Sequence, residues 1–185
     1  MGILKTADDF LMDRVIQPFS HKFQRLTGKT NFWLAKMSFA FSVATVVVWY
    51  MLLASGTKYL IGISSYAVGA VAYLVMYYAF ARGYDKDEEE FFAKSADEAL
   101  MNPRRISRAS KRKIDLVWTS FVIIAAASSV GSKYFSSAWP WPIYFAGLTF
   151  AGYFESATPL PPCKGKVKEW LQSFGKVPEL AKEHN

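Results

Sequence analysis

Residues 33–54 read WLAKMSFAFSVATVVVWYMLLA, and Lys36 is the only charged residue in that run. An α-helix rises about 1.5 Å per residue and the apolar core of a bilayer is about 30 Å thick, so roughly 20 apolar residues suffice to cross a membrane. The run therefore predicts a transmembrane helix. Three further runs of similar character follow it, at Tyr59–Ala81, Leu116–Tyr134 and Ala138–Ala157.

The remaining residues divide the chain around these four runs. We predict an all-α integral membrane protein in which four transmembrane helices form two hairpins, residues 33–81 and residues 115–157. Residues 1–32 are predicted to form an N-terminal segment, residues 82–114 a charged loop or helix between the hairpins, and residues 158–185 a C-terminal tail. Amphipathic helices are predicted in all three of these segments.

The N-terminal segment gives the clearest amphipathic pattern. From Thr6 to Leu26 its apolar residues recur at three- to four-residue spacing, which is typical of a helix with one apolar face. They are Phe10, Leu11, Val15, Ile16, Phe19, Phe23 and Leu26. Pro18 is expected to kink or divide this helix. The helix fits a membrane interface, but covering the end of the bundle or docking on a partner protein fits equally well.

The chain is basic, with 22 Lys and Arg residues against 15 Asp and Glu. Such a balance can indicate nucleic acid. Here the cations flank the predicted spans, so we expect the partner to be a bilayer with anionic headgroups and not a nucleic acid. The predicted headgroup contacts are Arg104, Arg105, Arg108, Lys111, Arg112 and Lys113.

The cations also predict an orientation. Only Lys58 and Lys133 lie in the connections within the two hairpins, whereas the other 20 of the 22 Lys and Arg residues precede or open the first span, join spans two and three, or follow span four. Segments rich in Lys and Arg stay on the cytoplasmic side. We therefore predict a multi-pass protein of the plasma (inner) membrane with both termini in the cytoplasm.

Few polar residues fall within the spans. Tyr66, Tyr73 and Tyr77 share one helical face of span two, where they either line a polar path or pack across the bundle. Glu155 lies in the last turn of span four, where a structural pair with Arg112 or Lys113 is expected. No charged residue lies near the middle of a span, which disfavours a coupled transporter. We predict no catalytic residues, no metal site and no cofactor.

Three functions remain open at this stage. The first is a non-catalytic accessory or scaffold subunit, either in a homo-oligomer or with other membrane-protein subunits. The second is a small oligomeric channel, with the three tyrosines and Ser38, Ser42 and Thr45 as its lining. The third is a protein that shapes the membrane by inserting its hairpins and surface helices into the inner leaflet.

A short internal match suggests a duplication. SGTKY at residues 55–59 aligns with VGSKY at residues 130–134, with an offset of 75. Both hairpins are predicted to begin on the same side of the membrane. If the match reflects a repeat, the two hairpins are related by an axis along the membrane normal.

Overall fold

The computed structural model describes residues 2–56, 60–93, 103–130 and 138–168. Every regular element in these ranges is helical, and none is a strand. We number the α-helices in chain order, and a short π-helical stretch separates the first two. The elements are α1 (Gly2–Phe10), the π-helical stretch (Leu11–Ile16), α2 (Gln17–Thr27), α3 (Asn31–Ser55), α4 (Leu60–Ala93), α5 (Pro103–Ser128) and α6 (Pro140–Ser156).

Within the described ranges, two helices are long and apolar enough to cross a membrane. They are Asn31–Ser55, which is α3, and Gly62–Ala93 within α4. The first closely matches the predicted span. The second continues beyond its predicted end at Ala81: Gly83 lies just past that end without breaking the helix, and the acidic helix formers Glu88 to Glu90 lie in the continuation to Ala93. Its last part therefore extends the helix into the charged segment.

The other two predicted spans are shorter in the structure. The apolar half of α5 begins after Asp115 and the helix ends at Ser128, whereas the predicted span runs to Tyr134. The helix α6 has 17 residues. Residues 131–137 lie outside the described part of the chain. A total of four spans therefore stays a prediction.

The four long helices pack in the order α4, α3, α6, α5, so that α3 and α6 are central. The two central helices meet at Gly147, whose carbonyl accepts a hydrogen bond of 3.0 Å from the Ser38 hydroxyl. A methyl group on Gly147 would lie 1.9 Å from the Ser42 hydroxyl oxygen. Such close approach through small residues is how helices associate in membranes, where burial of apolar surface gives no driving force.

Neighbouring contacts complete the bundle. The buried face of α3 carries Ala35, Phe39 and Val43, which pack with Ala70 of α4 and Ala151 of α6. Between α5 and α6, the hydroxyls of Thr119 and Thr149 lie 2.7 Å apart. The core therefore combines apolar packing around α3 with polar links between α3 and α6 and between α5 and α6.

This order does not fit the predicted repeat axis. A two-fold relation between the hairpins would exchange α3 with α5 and α4 with α6, so a close α3–α6 contact would require an equally close α4–α5 contact. Within the described ranges, α4 and α5 make no comparable contact. The two-fold arrangement is therefore wrong. The first helix of one hairpin, α3, packs on the second helix of the other, α6, but the equivalent pair, α5 and α4, does not pack in the same way.

The N-terminal residues form an arm against one end of the bundle. We call Gly2–Thr27 the arm: α1 contacts α5, the π-helical stretch contacts α6, and α2 contacts α3. Pro18 lies in the first turn of α2, where a proline's missing N–H costs least. The arm starts earlier than the predicted Thr6 and changes helix type just before Pro18. Gly28, the residue after the arm, has a left-handed backbone and caps the end of α2.

Candidate functional site

A buried carboxylate fixes the arm to the bundle. The Asp8 side chain is fully buried, and Arg112 of α5 donates hydrogen bonds of 2.9 Å and 3.0 Å to its two oxygens. The Tyr153 hydroxyl of α6 donates a third, of 2.8 Å. Lys113 Nζ lies 3.9 Å from the same carboxylate. One residue of the arm thus joins two helices of the bundle through charge-assisted bonds, which are the stronger kind.

These contacts change the acidity of Asp8. Burial alone would raise the pKa of Asp8, but the hydrogen bonds from Arg112 and Tyr153 and the positive charges of Arg112 and Lys113 outweigh it, so the pKa lies below its ordinary value. Asp8 is therefore ionised under physiological conditions and holds the arm as an anion.

A second set of contacts ties the arm to the residues that follow α6. Gln24 uses its side-chain amide like a backbone group: its Nε2 donates to the Leu160 carbonyl over 2.7 Å, and its Oε1 accepts from the Leu160 N–H over 2.9 Å. Gln17 repeats this pairing with Thr158, at 2.8 Å and 3.0 Å. The Nε2 atom of His21 lies 2.9 Å from the same Thr158 carbonyl oxygen. Thr158–Gly165, which we call the return segment, is thereby held along α2.

Two glycines allow this segment to approach closely. Gly28 and Gly165 both have positive φ angles, of 75° and 77°. A Cβ on Gly165 would lie 2.4 Å from the backbone nitrogen of Gly28, and a Cβ on Gly28 would lie 2.8 Å from the Cys163 carbonyl oxygen. Any larger residue at either position would therefore separate the two backbones.

The start of α3 is also tied to the end of α6. The Asn31 side chain is fully buried and donates to the Phe154 carbonyl over 2.7 Å and to the Ala157 carbonyl over 2.8 Å. The last carbonyls of a helix have no partner within it, so these bonds satisfy groups that would otherwise be orphaned. Arm, return segment and helix ends form one polar junction.

The arm buries a short, mostly polar stripe and exposes both large apolar residues and charged ones. Asp8, Ser20 and Gln24 form a stripe with Ile16, and each of the four is at most 2% exposed. The outward stripe consists of large apolar residues that are 41–60% exposed. They are Phe10, Val15, Phe19 and Leu26. The π-helical stretch has one more residue per turn than an α-helix. This extra residue aligns Asp8, before the stretch, with Ser20 and Gln24, after it, on one side of the arm.

A cavity of about 320 Å³ lies between α3, α4, α5 and α6. Its charged lining consists of Asp87 from α4, Lys111 and Asp115 from α5, and Glu155 from α6. Glu155 is buried in the last turn of α6, as the sequence predicts, while the Arg112 guanidinium binds Asp8. Among the described residues, no group of His, Cys, Asp or Glu is arranged to hold a metal ion.

The three tyrosines singled out from the sequence each pack against other aromatic rings. Tyr66 and Tyr73 both lie against Tyr50 of α3, and Tyr73 also meets Tyr144 of α6 edge to face. Tyr77 stacks on Phe39 with 6.1 Å between ring centroids. The shared face of these residues is thus a contact surface between helices.

The structure describes the side chains of three of the six residues predicted to contact lipid headgroups. Arg112 and Lys113 face Asp8, and Lys111 lines the cavity. Arg104, Arg105 and Arg108 belong to α5, but their side chains lie outside the described part. The tail helix predicted from Val167, Trp170, Leu171 and Phe174 lies almost entirely outside it.

Sequence reasoning missed the residues that assemble the junction, namely Asp8, Gln17, Gln24 and Asn31. One signal was present. Polar residues recur on the arm opposite a stripe of large apolar ones, and a helix that packs on a protein normally buries the apolar side. Their partners, Thr158 and Leu160, carry no signal, since they contribute only backbone atoms.

The comparisons with known proteins add no identification. No protein-family model matches this sequence, and no curated protein or solved structure matches it. The class to which the chain belongs is therefore given by its own features: an all-helical protein with two helices able to span a membrane and a helical arm joined to the bundle through buried polar contacts.

Proposed function

We propose that this chain is a non-catalytic multi-pass membrane protein, and specifically an accessory or scaffold subunit of a membrane complex or homo-oligomer. The observation that carries the proposal is the exposed apolar stripe of the arm. Its four large apolar residues face outward beside exposed charged residues such as Asp9 and Arg14, while Asp8 and Gln24 face the bundle. Large apolar residues flanked by charges on an exposed helix suit a membrane interface or contact with another membrane subunit.

Exposed apolar stripes on the long helices support placement in a membrane. On α4, Val68, Val71 and Val75 are more than half exposed, and only 6% of the apolar window of this helix is buried. On α5, Phe121 and Ile124 form a similar stripe. Continuous apolar surface of this extent marks contact with lipid or with other subunits.

Helix lengths and packing support four crossings. The 17 residues of α6 rise about 25 Å, which is close to the thickness of the apolar core. Because α6 packs along α3 on one side and along α5 on the other, it shares the depth of both helices. The short α6 is thus best accommodated as a central membrane helix whose C-terminal end is covered by the junction.

The charge distribution supports termini on the cytoplasmic side. Arg112 and Lys113 at Asp8 and Lys36 at Asp85 lie with the arm at one end of the bundle. Cation-rich segments are retained in the cytoplasm, so this end faces inward in the proposed orientation. The protein then offers its arm, its return segment and the extension of α4 to cytoplasmic partners.

The oligomeric channel receives less support. The face that would line it carries Tyr66, Tyr73 and Tyr77, which pack against rings of α3 and α6. The hydroxyl of Ser38 is bonded to Gly147 and that of Ser42 to the Ser38 carbonyl. These groups hold the helices together.

Membrane shaping is the second candidate function, and the exposed apolar stripe of the arm favours it as well. An arm with four exposed apolar residues adds area to one leaflet when it lies in the interface, which promotes curvature. Reconstitution into large vesicles separates this candidate from the first. Tubulation at high protein density would support it, and vesicles of unchanged shape would count against it.

The proposal is tested by purifying the full chain in a mild detergent and measuring the mass and composition of the particle. A scaffold is expected as a defined oligomer or with stoichiometric subunits, and Asp8→Ala, which releases the arm, should reduce that association. A monomer without partners would contradict the proposal. Ion flux through reconstituted protein would instead favour the channel.

A further inference from the structure

A basic cavity lies where the arm meets the end of the return segment. It measures about 520 Å³ and is lined by Pro18, His21, Lys22, Arg25 and Leu26 of α2 and by Lys166. It is separate from the charged cavity between the long helices, with which it shares no lining residue.

The two sides of this cavity are fixed to each other. Lys166 follows Gly165, whose backbone lies directly on Gly28 at the end of α2. The Cys163 thiol donates to the Gln24 carbonyl over 3.3 Å, and the Gln24 amide pairs with Leu160. Lys166 is therefore brought beside α2 by an ordered backbone, although it is about 140 residues distant in sequence from Lys22.

The lining of the cavity contains three cationic side chains and no acidic one. Lys22 and Arg25 lie three residues apart on α2 and so share a face. Within the ranges that the structure describes, the ion pairs of Asp8 and Asp85 involve neither of them, nor Lys166. Three like charges held together repel one another, and an anion bound between them relieves that repulsion.

We propose that this cavity binds the phosphate of an anionic lipid headgroup. The cations supply the contacts for phosphate, with Arg25 able to donate two parallel hydrogen bonds. Leu26 lies both in the cavity lining and in the outward apolar stripe of the arm, so a lipid held there has an apolar surface for its chains. The assignment of a lipid as the ligand of this cavity rests on the proposed membrane function.

The test uses the full chain, delipidated in detergent and titrated with phosphatidylglycerol or with phosphatidylcholine, with bound lipid counted by native mass spectrometry. The variant combines Lys22→Gln, Arg25→Gln and Lys166→Gln. It should weaken phosphatidylglycerol binding by about tenfold or more, because each cation near a headgroup contributes severalfold. Phosphatidylcholine binding should not change.

The matched control combines Lys5→Gln, Arg14→Gln and Lys29→Gln, which removes the same charge from exposed positions of the arm and its end. It should retain the affinity for phosphatidylglycerol. Equal losses in the two triple variants would show only a general charge effect and overturn the site. Retained binding in the cavity variant would overturn it as well.

A second measurement distinguishes the lipid from a free phosphate. Glycerol phosphate carries the headgroup chemistry without the chains, and it should compete with phosphatidylglycerol only weakly. Competition at equal concentration would show a site for soluble phosphate and overturn the assignment to lipid. Extraction of the wild-type protein from membranes by alkaline carbonate would overturn the proposed membrane function, whichever lipid result is obtained.

Discussion

At the residue scale, the fully buried Asp8 determines whether the arm stays on the bundle. We expect Asp8→Asn to destabilise the protein by about 3 kcal/mol, since it leaves the largely buried Arg112 without its counter-ion. For a chain of this size that corresponds to a fall in Tm of roughly 6–12 °C. Thermal unfolding in detergent measures it.

The control for this change is Asp9→Asn, because Asp9 is an exposed carboxylate next to Asp8 on the same helix. Its Tm should stay within about 2 °C of the wild type, as is usual for surface substitutions. A double variant, Asp8→Asn with Arg112→Gln, should lose less than the two single variants together. Additive losses would show that the two side chains do not act as a pair.

Acid should release the arm in the wild-type protein. The pKa of Asp8 is lower in the folded protein than its ordinary value of 3.8. Its contribution to stability is therefore fully present above that value and is lost as the pH falls through the lower, folded value. Measured relative to an unstructured reference peptide, which corrects for the pH dependence of pepsin itself, the arm should resist pepsin at pH values near 4 and become cleavable below its folded pKa. In Asp8→Asn, this relative cleavage should not depend on pH in this range.

At the element scale, the crossing of α3 and α6 depends on Gly147. Gly147→Ala would place a methyl group against the Ser42 hydroxyl and 3.1 Å from the Ser38 carbonyl oxygen. The hydroxyl can rotate but the backbone cannot, so the helices must separate at a cost of about 1–3 kcal/mol. We expect a Tm several degrees lower. Gly83→Ala is the control, since nothing lies within 4 Å of its added methyl, and it should not lower the Tm.

The helices were more predictable than the contacts between them. Length and apolar character predicted α3 almost to the residue, because a continuous apolar run leaves little choice of conformation. The extension of α4 past Ala81 was missed, because the prediction ended the element where the membrane would end. Helix ends depend on breakers and caps, and Gly83, the breaker just past that position, does not end this helix.

The junction was largely out of reach of sequence reasoning. Arg112 was recognised as a basic residue near a span, but its partner Asp8 lies 104 residues earlier. Thr158 and Leu160 are bound through backbone atoms, which every residue possesses. The polar stripe of the arm was the one sequence feature that pointed to the junction. Its residues line up only when the extra residue in the π-helical turn is counted, and a regular spacing of 3.6 residues does not allow for that residue.

At the scale of the whole molecule, the arm and the long helices carry apolar surface outward, while polar groups hold the interior of the junction together. In water this arrangement would expose several long apolar stripes at once and lead to aggregation. In a bilayer it is favourable, since the stripes meet lipid while Asp8 and Gln24 make their bonds within the junction. The arm and the bundle therefore suit the same surroundings, although within the described ranges only α3 and α4 are long and apolar enough by themselves.

This arrangement predicts where individual residues of the arm lie. With Cys163→Ser as background, single cysteines at Val15 and Leu26 should react slowly with water-soluble maleimide in intact liposomes, and a nitroxide there should contact lipid-soluble oxygen. Arg14→Cys is the matched control, because Arg14 is exposed beside Val15 but polar, and it should react quickly. Both outward positions are large apolar residues more than 40% exposed in the protein alone, so only lipid or a partner can protect them. Rapid labelling at Val15 and Leu26 alike would place the arm in water and contradict the membrane interface.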